Sequence, residues 1–520
     1  MSIPAAEPVG RVESDDKLPT ALVVAVGLVV VVGLILRFVV DSPLWLDEAL
    51  SVNIARLPLG EIPAALKQDG HPPLYYLFLH GWMLLFGEGN VAVRAFSGLW
   101  AVALLPLMWV AGRRLGGRRG AVLALAVLAL SPYAIRYATE TRMYAMVSVL
   151  VLAGWLVVTD ALEEATWPRL AGISVLTGML LWTHYWSLWL LTVVGTALLV
   201  HRWRAARSGD RSATAATTRV IGAIIVGGLT FVPWLPTLLY QGAHTGTPWA
   251  RPVRPTEMVI FTITDFGGGP YPEATLLGVC LIVVVLLGIF GAADGPTRVI
   301  LDLRTRAQAR PLLILVAGTL AVACVAGYAT GATYATRYAA VFFPFVVLLA
   351  ALGLLQLEGR VASYATLAVL LLLGVAGVAQ GAMKERSDSV RSATAITSRA
   401  EPGDVVVFCP DQLGPAGSRV LGPGLDQVTY PEFLPPERVD WVDYDQRLSE
   451  ADPGRFADDL IERAGDHRIF LVYSTDYKSH EEICPTLRNA ISTHRTPEEL
   501  TRPTEASEPS SVVVWEPTST

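Results

Sequence analysis

Charge is scarce in this sequence. Only 17% of its 520 residues are Asp, Glu, Lys or Arg, against 52% hydrophobic, and the mean hydropathy is +0.47. A water-soluble globular chain rarely has that balance, so the composition is that of a polytopic membrane protein. The net charge is −6, and the arginines fall in short clusters between apolar runs, not on one basic face, which excludes a nucleic-acid partner. Cysteine is nearly absent. Cys280 and Cys324 lie in apolar runs and read as small buried hydrophobes, whereas Cys409 and Cys484 lie in a polar region, where a disulfide would form if that region is extracytoplasmic. None has metal-ligand spacing. "CPDQLGPAG" (409–417) lacks the GxGxxG pattern, so no nucleotide site is assigned to it. Internal repeats and low-complexity tracts are missing too.

What the chain has instead is long apolar runs. They recur at 20–40, 91–110, 121–138, 143–159, 170–185, 186–200, 220–240, 274–292, 312–328, 339–355 and 362–380, which predicts about eleven transmembrane helices. The polar segment 1–19 precedes the first, with no small-residue cleavage pattern after that run, so it is expected to be retained. Three connections are basic: "GRRLGGRRG" (112–120), "HRWRAARSGDR" (201–211) and "TRVILDLRTRAQAR" (297–310). All fall on one side if the N-terminus is cytoplasmic, and the C-terminal region then lies outside. Arg113, Arg114, Arg118 and Arg119 serve this topology and carry no expected chemistry. The apolar stretch 71–87 would put these four arginines outside if it crossed, so it is read as an interfacial helix within one outer loop, 41–90, with Tyr75, Tyr76, His80 and Trp82 at the interface. From about Lys384 the composition becomes that of a soluble domain. A helical segment (389–400) and short buried strands at 403–408, 468–474 and 511–515 predict a small α/β unit over 384–520.

With this topology the ionisable and polar residues near the outer face form a short set: Asp47 and Glu48, Asp69 and His71, Arg94, Arg136, Glu140, Arg142 with Tyr144, His184, Arg251, Arg254, Asp265 and Arg337. Such groups beside a bilayer are expensive and more often functional or mutually paired than idle. Group transfer outside the cytoplasm needs a lipid-anchored donor, such as a polyprenyl-phosphate sugar. It then needs a carboxylate to take the acceptor proton and cations to hold the departing phosphate. Structural readings compete at each position. Asp47 and Glu48 could be a solvated loop or cap a helix starting near Ala49; Arg94 could anchor a span; Arg142 could pair with Glu140 or Asp47; His184 sits among aromatics; and Asp265 could line an acceptor groove but better suits a turn beside Gly267, Gly268 and Gly269.

The order "LWLDEA" (44–49), "DGHPPLYYLFLHGWMLLFGEGNVAVRAFSGLWA" (69–101), "SPYAIRYATETRMYA" (131–145) and "ATRYAAVFFPF" (335–345) resembles the GT-C superfamily, multi-spanning glycosyltransferases that use lipid-phosphate sugars. It is most similar to the family that groups protein O-mannosyltransferases and aminoarabinose transferases. The resemblance covers residues 20–159 well and 328–355 moderately. It implies an α-helical GT-C membrane domain over 20–383 with an extracytoplasmic α/β domain after it, and inverting transfer from a polyprenyl-phosphate sugar to a glycan, glycolipid or protein acceptor. It places the catalytic base on Asp47 with Glu48 beside it. "DGHPP" is similar to the Asp-x-His-Pro-Pro element of the mannosyltransferases, mapping to Asp69, His71, Pro72 and Pro73. Those enzymes continue with Gly-Lys where this chain has Tyr75 and Tyr76, so the phosphate partner passes to Arg337, Arg142 or His71. Asp69, Tyr75, Tyr76, Arg94, Tyr144 and His184 are the remaining candidates for substrate contact. No metal-ligand cluster stands out, although a divalent cation on Asp47, Glu48 and Asp69 stays open. A transporter of a lipid-linked intermediate is the competing class, and it would favour charges at the bilayer midplane and pseudo-repeats.

Overall fold

The structure is a computed structural model and describes residues 18–245, 253–330, 334–475 and 482–517. Each of the apolar runs is helical over most of its length. The first helix, α1 (Thr20–Leu36), is followed not by an irregular loop but by three short helices, α2 (Leu46–Ala55), α3 (Ile62–Asp69) and α4 (Leu74–Phe86). With 13 residues, α4 is only about 20 Å long, too short to cross a bilayer unaided.

The next element, α5 (Asn90–Ala129), is a hairpin of two helical arms. Its break is at Gly116 and Gly117, the latter at φ +60, a region open to glycine without strain. Side chains there would block the fold: a Cβ on Gly116 would sit 2.2 Å from Leu355, and one on Gly112 would sit 2.8 Å from the Gly120 carbonyl. The four arginines expected to mark the cytoplasmic side thus share the tip of one hairpin. The predicted span 121–138 is interrupted: the second arm stops at Ala129, and a separate helix α6 (Pro132–Ala138) restarts with Ser131 accepting from the Ala134 amide and Pro132 in its first turn. Beside this break Arg37, 1% exposed, donates to the carbonyls of Gly33, Leu128 and Ala129, so it satisfies the frayed ends of two helices at once.

The rest of the membrane bundle runs α7 (Tyr144–Glu163), α8 (Trp167–Thr183), α9 (Ser187–Ser208), α10 (Arg211–Leu229), α11 (Leu235–His244), α12 (Pro255–Gly267), α13 (Pro272–Phe290), α14 (Ala309–Thr330), α15 (Phe343–Leu355) and α16 (Arg360–Met383). The run 220–240 is likewise broken, by a 3-10 turn at Val232–Trp234 between α10 and α11. Among the described residues, six helices are long and apolar enough to cross a membrane, and α1, α4 and α15 are shorter apolar helices. A small hairpin, β1 (Gly291–Ala293) with β2 (Val299–Leu301), joins α13 to α14.

Beyond α16 the chain forms a five-stranded sheet. Its strands are β3 (Val405–Cys409), β4 (Asp426–Thr429), β5 (Ile469–Tyr473), β6 (Pro497–Thr501) and β7 (Ser511–Trp515), in the order β4-β3-β5-β7-β6. The first three are parallel and the last two antiparallel to their neighbours. Alternation decides the faces: Val405 and Val407 point into one core layer, Val406 and Phe408 into the other. Helices α17 (Ser389–Thr397) and α18 (Gly414–Leu421) supply Ile396 and Leu421 to the Val406 and Phe408 face. On the other lie α19 (Tyr444–Glu450), α20 (Pro453–Ala464) and α21 (Ile483–Ser492). Cys409 and Cys484 are bridged, which ties β3 to α21.

This sheet unit is docked on the membrane bundle through α2. Leu46 and Leu50 belong to the sheet's core, whereas Ala49 and Val52 of the same helix belong to the bundle's. Asn53 donates to the Glu437 carbonyl at 2.7 Å. Beneath the dock lies Asp411, 4% exposed, accepting from the Tyr444 hydroxyl at 2.6 Å. Burial pushes its carboxyl up to about 7, against the pull of Tyr444 and Arg447. The folded chain therefore holds this proton more tightly than the unfolded chain, whose Asp titrates near 3.9, so the contribution is complete below about pH 4 and is lost as pH rises to about 7. Asp411→Asn keeps an oxygen for Tyr444 but cannot titrate. Thermal unfolding of the full chain should show wild type losing stability relative to this variant between about pH 4 and about pH 7, at up to roughly 1.4 kcal/mol per pH unit. Parallel curves would overturn the assignment.

Candidate active site

Asp47 and Glu48 sit in the first turn of α2, which starts at Leu46 with Trp45 as its cap residue, three positions before the predicted start at Ala49. Two acids there suit the positive end of the helix dipole. Neighbouring helix residues point about 100° apart, so the two carboxylates part company. Glu48 turns inward and is 0% exposed. Arg94 grips it with two parallel bonds, Nε to Oε1 at 2.8 Å and Nη2 to Oε2 at 2.7 Å, while the Thr141 amide donates at 3.0 Å and Arg386 Nη1 at 3.3 Å. Burial raises the Glu48 carboxyl, but Arg386, Arg94 and Thr141 together outweigh it and hold the group below the usual carboxylate range. Arg94 spends its other N–H groups on the carbonyls of Ser42 and Pro43. Sequence reasoning missed Arg386, whose contacts include the Thr139 carbonyl at 2.7 Å.

Asp47 keeps 13% of its side chain exposed and faces Arg337, with Oδ2 and Nη1 2.8 Å apart. The outer helices bring up the next group. Gly70 ends α3 at φ +87, and the chain turns through His71 and the two prolines into α4. His71 Nδ1 lies 2.9 Å from Asp69 Oδ2, and His71 Nε2 lies 2.9 Å from Arg142 Nη2. A guanidinium can only donate, so Nε2 accepts and the His71 proton sits on Nδ1, bonded to Asp69. The Tyr76 hydroxyl donates to the same Asp69 oxygen at 3.2 Å. Burial raises the Asp69 carboxyl, yet the His71 bond and the Arg142 charge prevail and hold it low.

Arg142, 3% exposed, closes this chain onto α2: Nη1 donates to Ser51 Oγ at 3.1 Å, to the Tyr76 hydroxyl at 3.3 Å and to the Asp47 carbonyl at 3.4 Å. Its partners are thus His71 and the backbone of Asp47, not the carboxylates of Glu140 or Asp47. Tyr75 is turned away, bonded to Ser97, which itself donates to the Arg142 carbonyl. Tyr144 is 1% exposed with no partner for its hydroxyl among the described residues, and its ring packs 5.8 Å from His184. His184 Nδ1 accepts from the Trp186 amide, and its ring is 5.3 Å from Tyr338, the neighbour of Arg337. The structure therefore gathers Asp47, Arg337, Arg142, His71, Asp69, Tyr76, Tyr144 and His184, and sets Glu48 with Arg94, and Tyr75 with Ser97, behind them as supports.

The other candidates lie on the far side of the α6–α7 loop. Glu140 is 3.8 Å from Arg136, which also lies 3.7 Å from Asp265; the Tyr137 hydroxyl donates to Asp265 at 3.3 Å. The turn expected of Asp265 is made by Gly268 and Gly269, at φ +112 and +121, which leaves the carboxylate free to line a cavity. Arg254 precedes α12, its amide donating to Glu257. Arg251 lies outside the described residues. The three acids considered for a divalent cation do not converge: Asp47, Glu48 and Asp69 each face a basic side chain, and no group of three or more metal-ligating residues occurs among the described residues.

Residues 70–232 match the family model of dolichyl-phosphate-mannose-protein mannosyltransferases. Comparison with curated protein sequences gives no match. Among solved structures the chain is similar to ArnT from Cupriavidus metallidurans in the apo state, with a TM-score of 0.60 at 14% identity over 95% of this chain and 98% of that one. The same ArnT bound to undecaprenyl phosphate gives 0.55 at 14% identity, over 95% and 97%. The mycobacterial arabinofuranosyltransferase AftD gives 0.50 at 15% identity, over 95% of this chain but 41% of that one. At these identities the likeness is one of fold, and the chain has the GT-C fold of the membrane glycosyltransferases, with the mannosyltransferase family match over residues 70–232.

Proposed function

We propose that this protein is an inverting glycosyltransferase that moves a sugar from a polyprenyl-phosphate donor to an acceptor hydroxyl at the extracytoplasmic membrane face, with Asp47 as general base. The observation that carries this reading is the division of labour in the first turn of α2. Glu48 has its oxygens occupied by Arg94, Arg386 and Thr141, whereas Asp47, one residue away, is part-exposed and, among the described residues, forms an ion pair with Arg337 alone. Only the second arrangement suits proton transfer.

The chemistry follows from that pair. A donor phosphate binding at Arg337 would compete with Asp47 for its charge and free the carboxylate. The acceptor oxygen then forms its bond to the anomeric carbon while the carbon–phosphate-oxygen bond breaks. The electron pair leaves on the phosphate, towards Arg337 and Arg142, and the acceptor proton passes to Asp47. The neutral His71, with its proton on Nδ1, orients Arg142. ArnT, which shares the fold, has been solved with undecaprenyl phosphate bound, which supports a lipid phosphate here.

Sidedness is supported by the α5 hairpin. Arg94, under the site, and Arg114, at the basic tip, are 20 residues apart on one helical arm, about 30 Å, the thickness of a hydrocarbon core. A cytoplasmic tip puts the site and the sheet unit outside, where the Cys409–Cys484 bridge is chemically at home. The mannosyltransferase family match over residues 70–232 and the likeness to the arabinofuranosyltransferase AftD support a sugar of the mannose or arabinose class.

Asp47→Asn should fold normally and lower turnover of polyprenyl-phosphate mannose or arabinose by at least 100-fold, measured as release of free polyprenyl phosphate by purified protein. Normal turnover by the folded variant would sink the base assignment. Glu48→Ala should act differently, because it strands Arg94 without a counter-charge in the interior. Its thermal unfolding should report a loss of about 3–5 kcal/mol, and a loss below about 1 kcal/mol would remove Glu48 from its clamp.

A further inference from the structure

The four-residue stretch Thr139–Arg142 forms a wall between two chambers. Arg142 points to the Asp47 side, while Thr139 and Glu140 line a cavity of about 140 Å³ on the other. That volume is well above the roughly 10–15 Å³ that admits one water. Its polar lining is Glu140, Asp265, Arg136 and Thr139, with Lys384 and Arg386 at the end of α16 and just beyond it; apolar side chains from the end of α1 and from α16, Val39 and Val378 among them, complete it.

The Glu140 carboxylate is the unusual member. It is 2% exposed, its Oε2 has only Arg136 at 3.8 Å, and its Oε1 has no hydrogen-bond partner among the described residues. Leaving a buried carboxyl oxygen unmade is costly, and a ligand hydroxyl would satisfy it. Burial pushes this carboxyl up, and the charges of Glu48 and Asp47 add to that against Arg136 and Arg386. Asp265 stands on the same floor. With Arg136, Lys384 and Arg386 beside these two carboxyls, the lining offers both hydrogen-bond donors and acceptors, which suits the hydroxyls of a sugar.

We infer that this cavity is the acceptor subsite and that it takes a sugar ring presented at the membrane surface, its hydroxyls bound by Glu140 and Asp265 and its apolar face resting on Trp45. The inference rests on the transferase reading above. Trp45 lines the cavity and caps α2 two residues before Asp47, so the cavity borders the start of the helix that carries the base. Glu140 acts here on binding and specificity, and Asp47 on the proton.

The test uses the full chain in lipid nanodiscs, with polyprenyl-phosphate mannose or arabinose as donor. Hexyl glucoside, galactoside, mannoside and arabinofuranoside serve as acceptor probes, kept below their micellar limits. In Glu140→Gln the half-saturating concentration of the preferred hexyl glycoside should rise at least tenfold, while the KM for donor shifts less than twofold. Val378→Trp, which fills the cavity without altering its polar groups, should produce the same split and guards against a folding artefact. A rise in donor KM, or no change in either constant, overturns the inference. If wild type releases no polyprenyl phosphate from any donor, the transferase reading fails by itself. Calorimetric binding of the glycosides then decides the cavity: a tenfold weaker Kd in Glu140→Gln supports a sugar subsite, and equal affinity overturns it.

Discussion

A carboxylate that never meets water holds the site together. Glu48 is gripped by Arg94 from α5, by Arg386 from the link between α16 and the sheet unit, and by the amide of Thr141 from the α6–α7 loop. Three stretches of chain, between 46 and 338 residues away in sequence, converge on its two oxygens. Desolvating such charges is expensive, and the Coulombic return does not make it a source of net stability. What the clamp secures is geometry: one rotation of α2 and one position for the loop that carries Arg142. Asp47 inherits its orientation from this, since a helix residue cannot turn without its neighbour.

A second network sets the charge around Asp47. Asp69 fixes the proton of His71, His71 accepts from Arg142, and Arg142 reaches the α2 backbone at Asp47 and Ser51. None of these contacts consumes the Asp47 carboxylate, which is left to Arg337 alone among the ion pairs formed there. On the transferase reading, an interior with several cations and acids in series would tolerate an incoming phosphate, because the resting pairs could be exchanged for phosphate contacts with little change in total buried charge. The aromatic ring of His184 between Tyr144 and Tyr338 walls this chamber without adding charge of its own while the imidazole stays neutral.

Much of this was legible in the sequence, for physical reasons. Apolar runs long enough to cross a bilayer announce helices, and the three strands buried on both faces announce themselves as continuous Val, Ile and Phe runs. Besides the short hairpin β1–β2, the missed strands are β4 and β6, the edges of the five-stranded sheet; "PEELT" in β6 is charged and mostly exposed, and edge strands lack the pattern that marks a core. The grouping of "LDEA", "DGHPP" and "TETRMY" was readable as an outer-face site, but its internal wiring was not. Whether Asp47 or Glu48 turns inward depends on where α2 begins, and the helix starts three residues earlier than its composition suggests. Arg386 carries no motif at all; it matters because the chain happens to leave α16 beside Glu48. The breaks at Leu130 and Val232 are equally silent, since hydropathy averages across a kink that a proline or a capping serine creates locally.

The loop between α6 and α7 shows how few residues such a site needs to keep two substrates apart. In four consecutive positions Thr139 binds Arg386, Glu140 turns to one cavity, the Thr141 amide locks onto Glu48, and Arg142 turns to the other side. Non-helical backbone beside a membrane core is tolerated where protein or a cavity covers it, and here Thr141 is covered by protein at Glu48 while Glu140 borders the cavity. The alternation also sends the two charged side chains of the loop apart, Arg142 towards Asp47 and Glu140 towards the cavity. On the reading proposed above, a donor on the Arg142 side and an acceptor in the cavity would meet across one short wall, as single-step inversion at the anomeric carbon requires.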